Sequence, residues 1–249
     1  MKTQWDYTDL AEAYLKRPQY SDEAIDGFLS LTGCVPGAAV CDVGAGVAHL
    51  TLKLADRGFK VTAVEPNDAM RERGIRQTAG LPDVRWFEGT GERTGQASGA
   101  FDMVTFGSSF NVTDRQRALR ETKRLLKPRG WFAAMWNHRD LEDPVQAAIE
   151  GIIKQAIPDY GYGTRREDQS AVIAESGLFE EAHRIEGGVV HTQTVAEMVE
   201  AWRSHATLHR QAGDRFPGII ESIERMLKDL GRETIDIPYT TRLWAARLR

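Results

Sequence analysis

The sequence predicts an α/β fold built on a parallel β-sheet. Between residues 38 and 140, short apolar runs alternate with helix-like runs, which is the pattern of successive βαβ units. With 249 residues, the chain is long enough for one large α/β domain or for a domain with an inserted cap. Helix-like runs predominate beyond residue 140, and we expect those helices to lie over the ends of the strands.

The first part of the chain supplies five predicted strands. They lie in residues 38–46, a short strand that runs into a glycine loop, in 60–66, in 84–92, a strand with its loop, in 100–110 and in 130–140. The helices among them are predicted at residues 49–58, 67–81 and 115–130. Gly58 ends the first helix, Asn67 or Asp68 begins the second, and Pro128 with Gly130 stops the third.

The flanking segments complete the predicted elements. Residues 1–32 have apolar side chains at helical spacing, interrupted by Pro18. In the C-terminal half, helices are predicted at 143–157, 194–211 and 217–231, and strands at 179–190 and 240–249. No internal repeat, low-complexity tract or obvious linker divides the sequence, so we expect a single folded unit.

Composition and charge narrow the functional class. The formal net charge is -4, whereas a dedicated nucleic-acid binder usually has a basic excess. This balance argues against nucleic acid as the partner. No apolar run reaches the length of a signal-peptide core or a membrane span, which predicts a cytoplasmic protein without a membrane partner.

Signals for metal binding are weak. Two cysteines, Cys34 and Cys41, are too few for a disulfide framework or a zinc site and indicate a reducing compartment. His205 and His209 have a spacing that can bind metal, but the stretch lacks a third ligand and the adjacent glutamate of the metalloprotease motif. We predict no metal cofactor and expect these histidines at the surface or in a substrate cap.

A glycine-containing loop after the first strand is the strongest functional signal. In "VCDVGAG", Gly44 and Gly46 allow a sharp turn and a close approach of a ligand to the backbone. Asp42 stands two residues before Gly44 and would repel the charges of a pyrophosphate. The loop therefore favours a ligand with a cationic end, such as an ammonium group beside a sulfonium.

The ends of the next strands add matching signals. Glu65 follows the second strand, 21 residues after Gly44, where a carboxylate can accept hydrogen bonds from both hydroxyls of a ribose. The stretch "EGTGE" at residues 88–92 and Asp102 in "FDMV" are expected near an adenine edge and the floor of the site.

Five motifs occur together and in order: "DVGAG", "VEP..AM", "FEGTGE", "FDMVTFGSSF" and "LLKPRGWFAAMW". In this set the chain resembles the class I S-adenosylmethionine-dependent methyltransferases, particularly the branch that acts on small molecules, over about residues 38 to 137. The resemblance implies a Rossmann-like sheet of seven strands whose last strand is antiparallel, with residues 240–249 as the candidate for that strand. It also implies a helical N-terminal lid and a helical substrate cap.

On this basis the chain is divided into three parts that form one folded unit. Residues 1–32 are the lid segment. Residues 33–140 and 216–249 are the Rossmann-like core, with a further strand near 179–190. Residues 141–215 are the largely helical cap.

The resemblance also implies roles for individual residues at the cofactor, S-adenosylmethionine, whose product is S-adenosylhomocysteine. The methionine part of the cofactor would contact the glycine loop and the lid. The ribose and adenine would contact residues after the second and third strands, and the sulfonium would lie at the end of the fourth strand. The implied binding residues are Tyr14, Arg17, Asp42, Gly44, Gly46, Glu65, Pro66, Met70, Thr90, Gly91, Glu92, Phe106, Gly107 and Ser108. Two positions depart from the family pattern: Thr90 replaces an adenine-binding Asp, and Ala48 replaces the third loop glycine.

Candidate catalytic residues are less well specified. Tyr7, Tyr14 and Phe110 are predicted to form an aromatic wall beside the methyl group, and His138 is a candidate base at the end of the fifth strand. The segment "YTDLAEAYLKRPQYS" is similar to a lid over the cofactor in many members and, more narrowly, to N-methyltransferases of lincosamide-type antibiotic synthesis.

We therefore expect a small-molecule methyltransferase that acts by direct in-line displacement, with an amine nitrogen as the acceptor, since a neutral amine needs little help from a base. Oxygen- or carbon-directed methylation, nucleic-acid methylation, a nicotinamide-dependent oxidoreductase and a non-catalytic binding module remain as alternatives. A homo-oligomer is also possible.

Overall fold

The computed structural model describes residues 11–249. The strands of this part of the chain are β1 (Ala39–Val43), β2 (Lys60–Val64), β3 (Val84–Phe87), β4 (Phe101–Gly107), β5 (Leu126–Arg139), β6 (His183–Thr194) and β7 (Thr234–Arg247). They form a single seven-stranded sheet in the order β3-β2-β1-β4-β5-β7-β6.

The directions of the strands match the expected architecture. Strands β1 to β5 pair in parallel, whereas β7 is antiparallel to both β5 and β6. The predicted seven-stranded Rossmann-like sheet with an antiparallel last strand is therefore confirmed. The chain order of the sheet reverses between β1 and β4, which creates a crevice beyond the carboxyl ends of these strands.

Helices cover the sheet and extend beyond it. Their bounds are α1 (Ala11–Leu15), α2 (Asp22–Thr32), α3 (His49–Ala55), α4 (Asp68–Gln77), α5 (Arg115–Leu125), α6 (Pro144–Ala156), α7 (Ser170–Glu175), α8 (Val195–Arg203), α9 (Ala206–Ala212) and α10 (Phe216–Asp229). The starts of α2, α4, α5 and α6 carry the expected type of cap, a Ser, Asn or Asp side chain that accepts a backbone N–H of the first turn.

Several element boundaries differ from the sequence expectation; β6, for example, spans His183–Thr194 rather than residues 179–190. Helix α5 ends at Leu125 rather than near Gly130, because the backbone is already extended at Leu126 and the following Pro128 disfavours helix at the residue before it. The helix expected over 194–211 is two helices, α8 and α9, with the His205 side chain accepting from Leu208 N–H at the second start. The last strand begins at Thr234, six residues before 240.

Apolar side chains form separate clusters on the sheet and beyond it. One cluster contains Phe106, Phe132 and Trp244. Another joins α6, α8 and α10 to the start of β7, through residues such as Ile153, Trp202, Ile223 and Ile237. The division of the chain into lid, core and cap stays a prediction, with α10 packed among the helices of this second cluster.

Residues 11–249 contain neither a membrane-spanning helix nor a cluster of metal-ligating side chains. No helix there combines the length and the apolar character needed to cross a membrane. No group of three or more His, Cys, Asp or Glu side chains within the same residues could hold a metal ion.

Candidate active site

A cavity of about 930 Å³ opens at the carboxyl ends of β1, β2, β4 and β5. It lies at the crevice where open α/β sheets bind ligands. Every residue that the sequence predicts for cofactor binding lines this cavity: Tyr14, Arg17, Asp42, Gly44, Gly46, Glu65, Pro66, Met70, Thr90, Gly91, Glu92, Phe106, Gly107 and Ser108. The fold brings these positions together, while their individual roles stay predictions.

The loop after β1 depends on left-handed backbone conformations. Gly44 and Gly46 have φ values of 67° and 57°, and Ala48 has a φ of 83°. A Cβ atom on Gly44 would lie 2.4 Å from the Cβ of Ser109, so a larger residue does not fit there. The Gly44 and Ala45 N–H groups both donate to the carbonyl of Val64. Ala48 thus adopts the conformation of the missing third glycine and carries the strain of doing so.

Asp42 is completely buried beneath this loop. Its carboxylate accepts hydrogen bonds from the hydroxyls of Thr51, at 2.7 Å, and Thr105, at 3.1 Å. Burial raises the pKa of Asp42 to about 6, and the two hydroxyl bonds oppose that shift. The side chain therefore connects β1 to α3 and β4 and places a negative charge at the cavity above about pH 6.

Glu65 is held at the end of β2 by two backbone groups. One carboxylate oxygen accepts from Gly46 N–H and the other from Asn67 N–H, both at 2.9 Å. Burial raises the pKa of Glu65, and the two backbone hydrogen bonds oppose the shift. A carboxylate oxygen can accept more than one hydrogen bond, so each oxygen keeps a position for a ligand hydroxyl.

Residues beyond β2 and β3 shape the next part of the cavity. The Met70 side chain is buried and packs with Ala11 and Val47. Gly91 lies so close to Thr113 that a Cβ atom would be 2.5 Å from its Cγ2. The carboxylate of Glu92 accepts the Asp114 N–H at 2.7 Å, which connects this loop to the start of α5.

The end of β4 meets the N-terminal part of the chain. Ser108 has a φ of 59°, and its hydroxyl lies 2.9 Å from that of Tyr20. A Cβ on Gly107 would be 3.0 Å from the same tyrosine oxygen. Tyr20, which is buried, thus closes the cavity over the end of β4.

Residues 14–21, here called the strap, cross the carboxyl edge of the sheet. Asn137 in β5 donates to the carbonyls of Pro18 and Gln19, both at 3.0 Å. The guanidinium of Arg17 lies 3.6 Å from the centre of the Tyr14 ring, and both side chains line the cavity. These contacts place the strap where the predicted lid would lie.

Several predicted residues are located elsewhere. Phe110 is fully buried, and its ring packs 5.4 Å from Phe106 and 5.3 Å from Phe132, so its proposed place in an aromatic wall is revised. His138 is also buried and is not among the residues that line the cavity, which corrects its proposed place at the acceptor. Tyr7 lies outside the described residues.

Asp102 is likewise not at the floor of the site. Its carboxylate accepts the Ala39 N–H at the start of β1 and pairs with Lys127 at 2.9 Å. Both contacts are at the opposite edge of the sheet, because Asp102 is near the beginning of β4 and the cavity is at its end.

The structure adds a group of cavity residues that sequence reasoning missed. They come from β5, the segment before α7, α9 and β7: Arg139, Tyr162, Arg166, Arg210 and Tyr239. His205, which the sequence places at the surface or in a substrate cap, is buried and also lines the cavity. Arg139 donates from Nε to the Tyr239 hydroxyl at 3.1 Å. These positions match no motif in the sequence, and only the packing of the C-terminal helices over β5 brings them to the cavity.

Comparison with known proteins identifies the central part of the chain. Residues 41–134 match the family model described as a methyltransferase domain. This part of the chain is therefore similar to that domain. The matched range contains the glycine loop, Glu65 and the end of β4, so the resemblance to class I S-adenosylmethionine-dependent methyltransferases is confirmed.

Two curated methyltransferases are similar to the chain over about half of its length. An uncharacterised methyltransferase of Mycobacterium tuberculosis is 37% identical over 126 residues, which cover 50% of this chain and 48% of the relative. The ubiquinone/menaquinone biosynthesis C-methyltransferase of Klebsiella pneumoniae is 26% identical over 156 residues, 59% of this chain and 62% of the relative. The chain thus spans about half the length of the mycobacterial relative.

Solved structures of methyltransferases share the fold over nearly the whole chain. The phosphoethanolamine N-methyltransferase 2 of Haemonchus contortus, in complex with phosphomonomethylethanolamine and S-adenosylhomocysteine, aligns with a TM-score of 0.55. The alignment covers 95% of this chain and 56% of that one, at 14% identity. At this identity the likeness concerns the fold.

Proposed function

We propose that the protein binds S-adenosylmethionine in the 930 Å³ cavity and transfers its methyl group to a small-molecule acceptor. The observation that carries the proposal is the arrangement of Glu65 beside the glycine loop, since two backbone N–H groups fix the carboxylate and leave it able to accept from the two hydroxyls of a ribose. The match of residues 41–134 to the methyltransferase domain model supports the same cofactor.

The residues present fit the cofactor in shape and charge. Gly44 and Gly46 leave the loop backbone accessible at the end of β1, and Asp42 lies beneath it. A negative charge there favours the ammonium and sulfonium groups over a pyrophosphate. The cavity is at the upper end of the range of about 300–1,000 Å³ that is usual for ligand sites, which leaves room for an acceptor beside the cofactor.

The protein contributes mainly position and enclosure. When bound, the cofactor supplies an activated methyl group whose bond to sulfur breaks as the acceptor lone pair attacks. Phe106, Gly107 and Ser108 would border the sulfur, and the strap with Tyr14 and Tyr20 would exclude water. Holding the reacting atoms in line in this way accounts for much of the rate in such a displacement.

We further propose an amine nitrogen as the acceptor atom. A neutral amine attacks without prior removal of a proton, and it releases the proton afterwards to solvent. The N-methyltransferase from Haemonchus contortus has the same fold, whereas the relative from Klebsiella pneumoniae methylates carbon. A place in antibiotic synthesis stays a prediction from the resemblance of the N-terminal segment.

Two experiments test these proposals separately. Isothermal titration calorimetry should detect binding of S-adenosylmethionine and S-adenosylhomocysteine but not of a nicotinamide dinucleotide, and absence of binding by both adenosyl compounds would contradict the cofactor assignment. Incubation with methyl-labelled cofactor and a panel of amines, phenols and carboxylic acids, followed by mass spectrometry, then locates the methyl group. Labelled products on carbon or oxygen alone would contradict the assignment to nitrogen.

A further inference from the structure

The charges that line the cavity are separated along the sheet. The carboxylates come from the ends of β1 and β2, the loop after β3 and the start of α5: Asp42, Glu65, Glu92 and Asp114. Beyond the strap, which contributes Lys16 and Arg17, the other basic side chains come from the end of β5 and from the C-terminal helical region: Arg139, Arg166 and Arg210. The half of the cavity away from the proposed cofactor position is therefore positively charged.

Arg139 is held at the end of β5 by aromatic side chains. Its guanidinium lies 4.3 Å from the centre of the buried Trp202 ring and 5.8 Å from that of Tyr239. Its Nε donates to the Tyr239 hydroxyl. Within residues 11–249, no carboxylate lies within 4 Å of the Arg139 guanidinium, and no acceptor lies within hydrogen-bond distance of its terminal nitrogens.

Arg166 is placed beside Arg139 in the same way. Its guanidinium lies 4.1 Å from the centre of the Tyr162 ring, and Nη2 donates to the backbone carbonyl of Arg139 at 3.3 Å. The carboxylate of Glu150, whose charge acts on Arg166, is engaged elsewhere: it accepts from the Tyr162 hydroxyl and lies 3.2 Å from Lys154 Nζ. Burial lowers the pKa of Arg166, and the charges of Arg242 and Arg139 act in the same direction, whereas Tyr162 and Glu150 oppose the shift.

Two partly buried guanidinium groups without a carboxylate partner are costly unless an anion neutralises them. We propose that the methyl acceptor carries an anionic group, a carboxylate or a phosphate, that binds between Arg139 and Arg166. Planar guanidinium groups suit either anion because they donate two parallel hydrogen bonds. This inference rests on the proposed function and assigns the substrate class of the same cavity.

The spacing along β5 is compatible with one small molecule. Met135 is in register with Gly107, and Arg139 is four residues farther along the strand, a distance of about 13 Å between backbone positions. The arginine side chain covers part of that distance. The anionic group and the methylated atom would therefore lie at opposite ends of one acceptor.

The test uses aryl probes with the protein saturated in S-adenosylhomocysteine, because Tyr162 and Tyr239 line the same part of the cavity. Calorimetric binding of phenyl phosphate and benzoate is compared with that of uncharged benzyl alcohol. We expect at least one anion to bind about tenfold more tightly than the alcohol or better, since hydrogen bonds to charged groups are the strong ones. The two anions distinguish a phosphate site from a carboxylate site.

Variants connect that preference to the two arginines. Arg166→Gln and Arg139→Gln should each weaken binding of the preferred anion about tenfold, and Arg139→Lys should lose less because the charge remains. Arg225→Gln, an exposed change on α10 away from the cavity, is the matched control and should bind like the wild type. Circular dichroism melting checks that each variant is folded. If Arg139→Gln does not fold, the anion site is tested by Arg166→Gln and by the preference of the wild type for anions over benzyl alcohol.

The outcomes separate the two proposals. If the wild type does not bind S-adenosylhomocysteine, the proposed function is contradicted. A wild type that binds S-adenosylhomocysteine but binds the anions no better than benzyl alcohol, or binds neither anion at millimolar concentration, overturns the anion site alone. An equal effect of Arg225→Gln and Arg166→Gln overturns it as well.

Discussion

Glu65 shows at the residue scale how a buried carboxylate is prepared for a ligand. Two N–H groups, from Gly46 in the neighbouring loop and from Asn67 before α4, fix its two oxygens. The side chain therefore needs no reorganisation when ligand hydroxyls arrive. Its position also connects the glycine loop to α4, so one residue joins the two parts of the proposed nucleoside site.

We expect Glu65→Gln to weaken S-adenosylhomocysteine binding at least tenfold. The amide keeps the volume but loses the charge and one acceptor oxygen, and a hydrogen bond to a charged group is worth about 1.5–3 kcal/mol. Calorimetry measures the change. Glu181→Gln, an exposed substitution on a residue that does not line the cavity, is the control, and equal affinities for the two variants would contradict the ribose role of Glu65.

Gly44 has a structural requirement that can be tested without a ligand. Gly44→Ala should lower the free energy of unfolding by about 2–4 kcal/mol, from the left-handed backbone and the contact with Ser109. Urea unfolding measures this loss. A Cβ atom on Gly80 has no other atom within 4 Å, so Gly80→Ala should change the free energy of unfolding by no more than about 0.5 kcal/mol. A similar effect at both positions would contradict the strain assigned to Gly44.

At the scale of elements, β5 and β7 hold the strap over the cavity. Thr241 in β7 donates from its hydroxyl to the Asn137 side-chain oxygen and accepts the Ser21 N–H. Asn137 in turn donates to Pro18 and Gln19 carbonyls. The antiparallel pairing that sets Asn137 opposite Thr241 therefore determines where the predicted lid lies.

Asn137→Ala should release the strap with little effect on the sheet. We expect faster amide hydrogen exchange over residues 14–21 and about tenfold weaker S-adenosylhomocysteine binding, because the two hydrogen bonds from Asn137 to the strap, of about 1 kcal/mol each, are lost. Gln96→Ala removes a side-chain bond to the Thr94 carbonyl away from the cavity and serves as the control. Unchanged exchange in the strap would mean that other contacts hold it.

For the whole molecule, Asp42 couples stability to pH. Its pKa is raised by burial from an ordinary value of 3.8 to about 6. Between about pH 4 and pH 6 the native state keeps the proton that the unfolded chain releases, so the native state binds more protons and stability falls as pH rises. Above pH 6 the full cost of the buried charge is present.

Asp42→Asn should therefore gain stability relative to the wild type as the pH rises. Between pH 4 and pH 7 the difference in free energy of unfolding, variant minus wild type, should increase by up to about 3 kcal/mol. The amide can still bond to the hydroxyls of Thr51 and Thr105. Urea unfolding at both pH values gives the comparison. The same variant should bind S-adenosylhomocysteine more weakly, and a stability difference that is independent of pH would contradict the raised pKa.

Much of the fold could be predicted because its signals are local. Alternating strands and helices, capping residues and glycines are read within a few positions of each other, and so the first five strands lie where they were expected. The misplaced boundaries have non-local causes. β7 begins as early as Thr234 because every residue of β6 pairs with β7. No sequence signal near Thr234 indicates that β6 will be its partner.

The sequence by itself determined the class of fold and the residues at one end of the cavity, because the glycine loop, Glu65 and the end of β4 each follow a predicted strand and parallel strands bring their ends together. Only the tertiary structure decided the other end. It placed Arg139, Arg166 and Tyr239 at the cavity and removed Phe110 and His138 from its lining. Those positions depend on how distant helices and an antiparallel strand pack against β5, and contacts of that kind leave no periodic pattern in the chain.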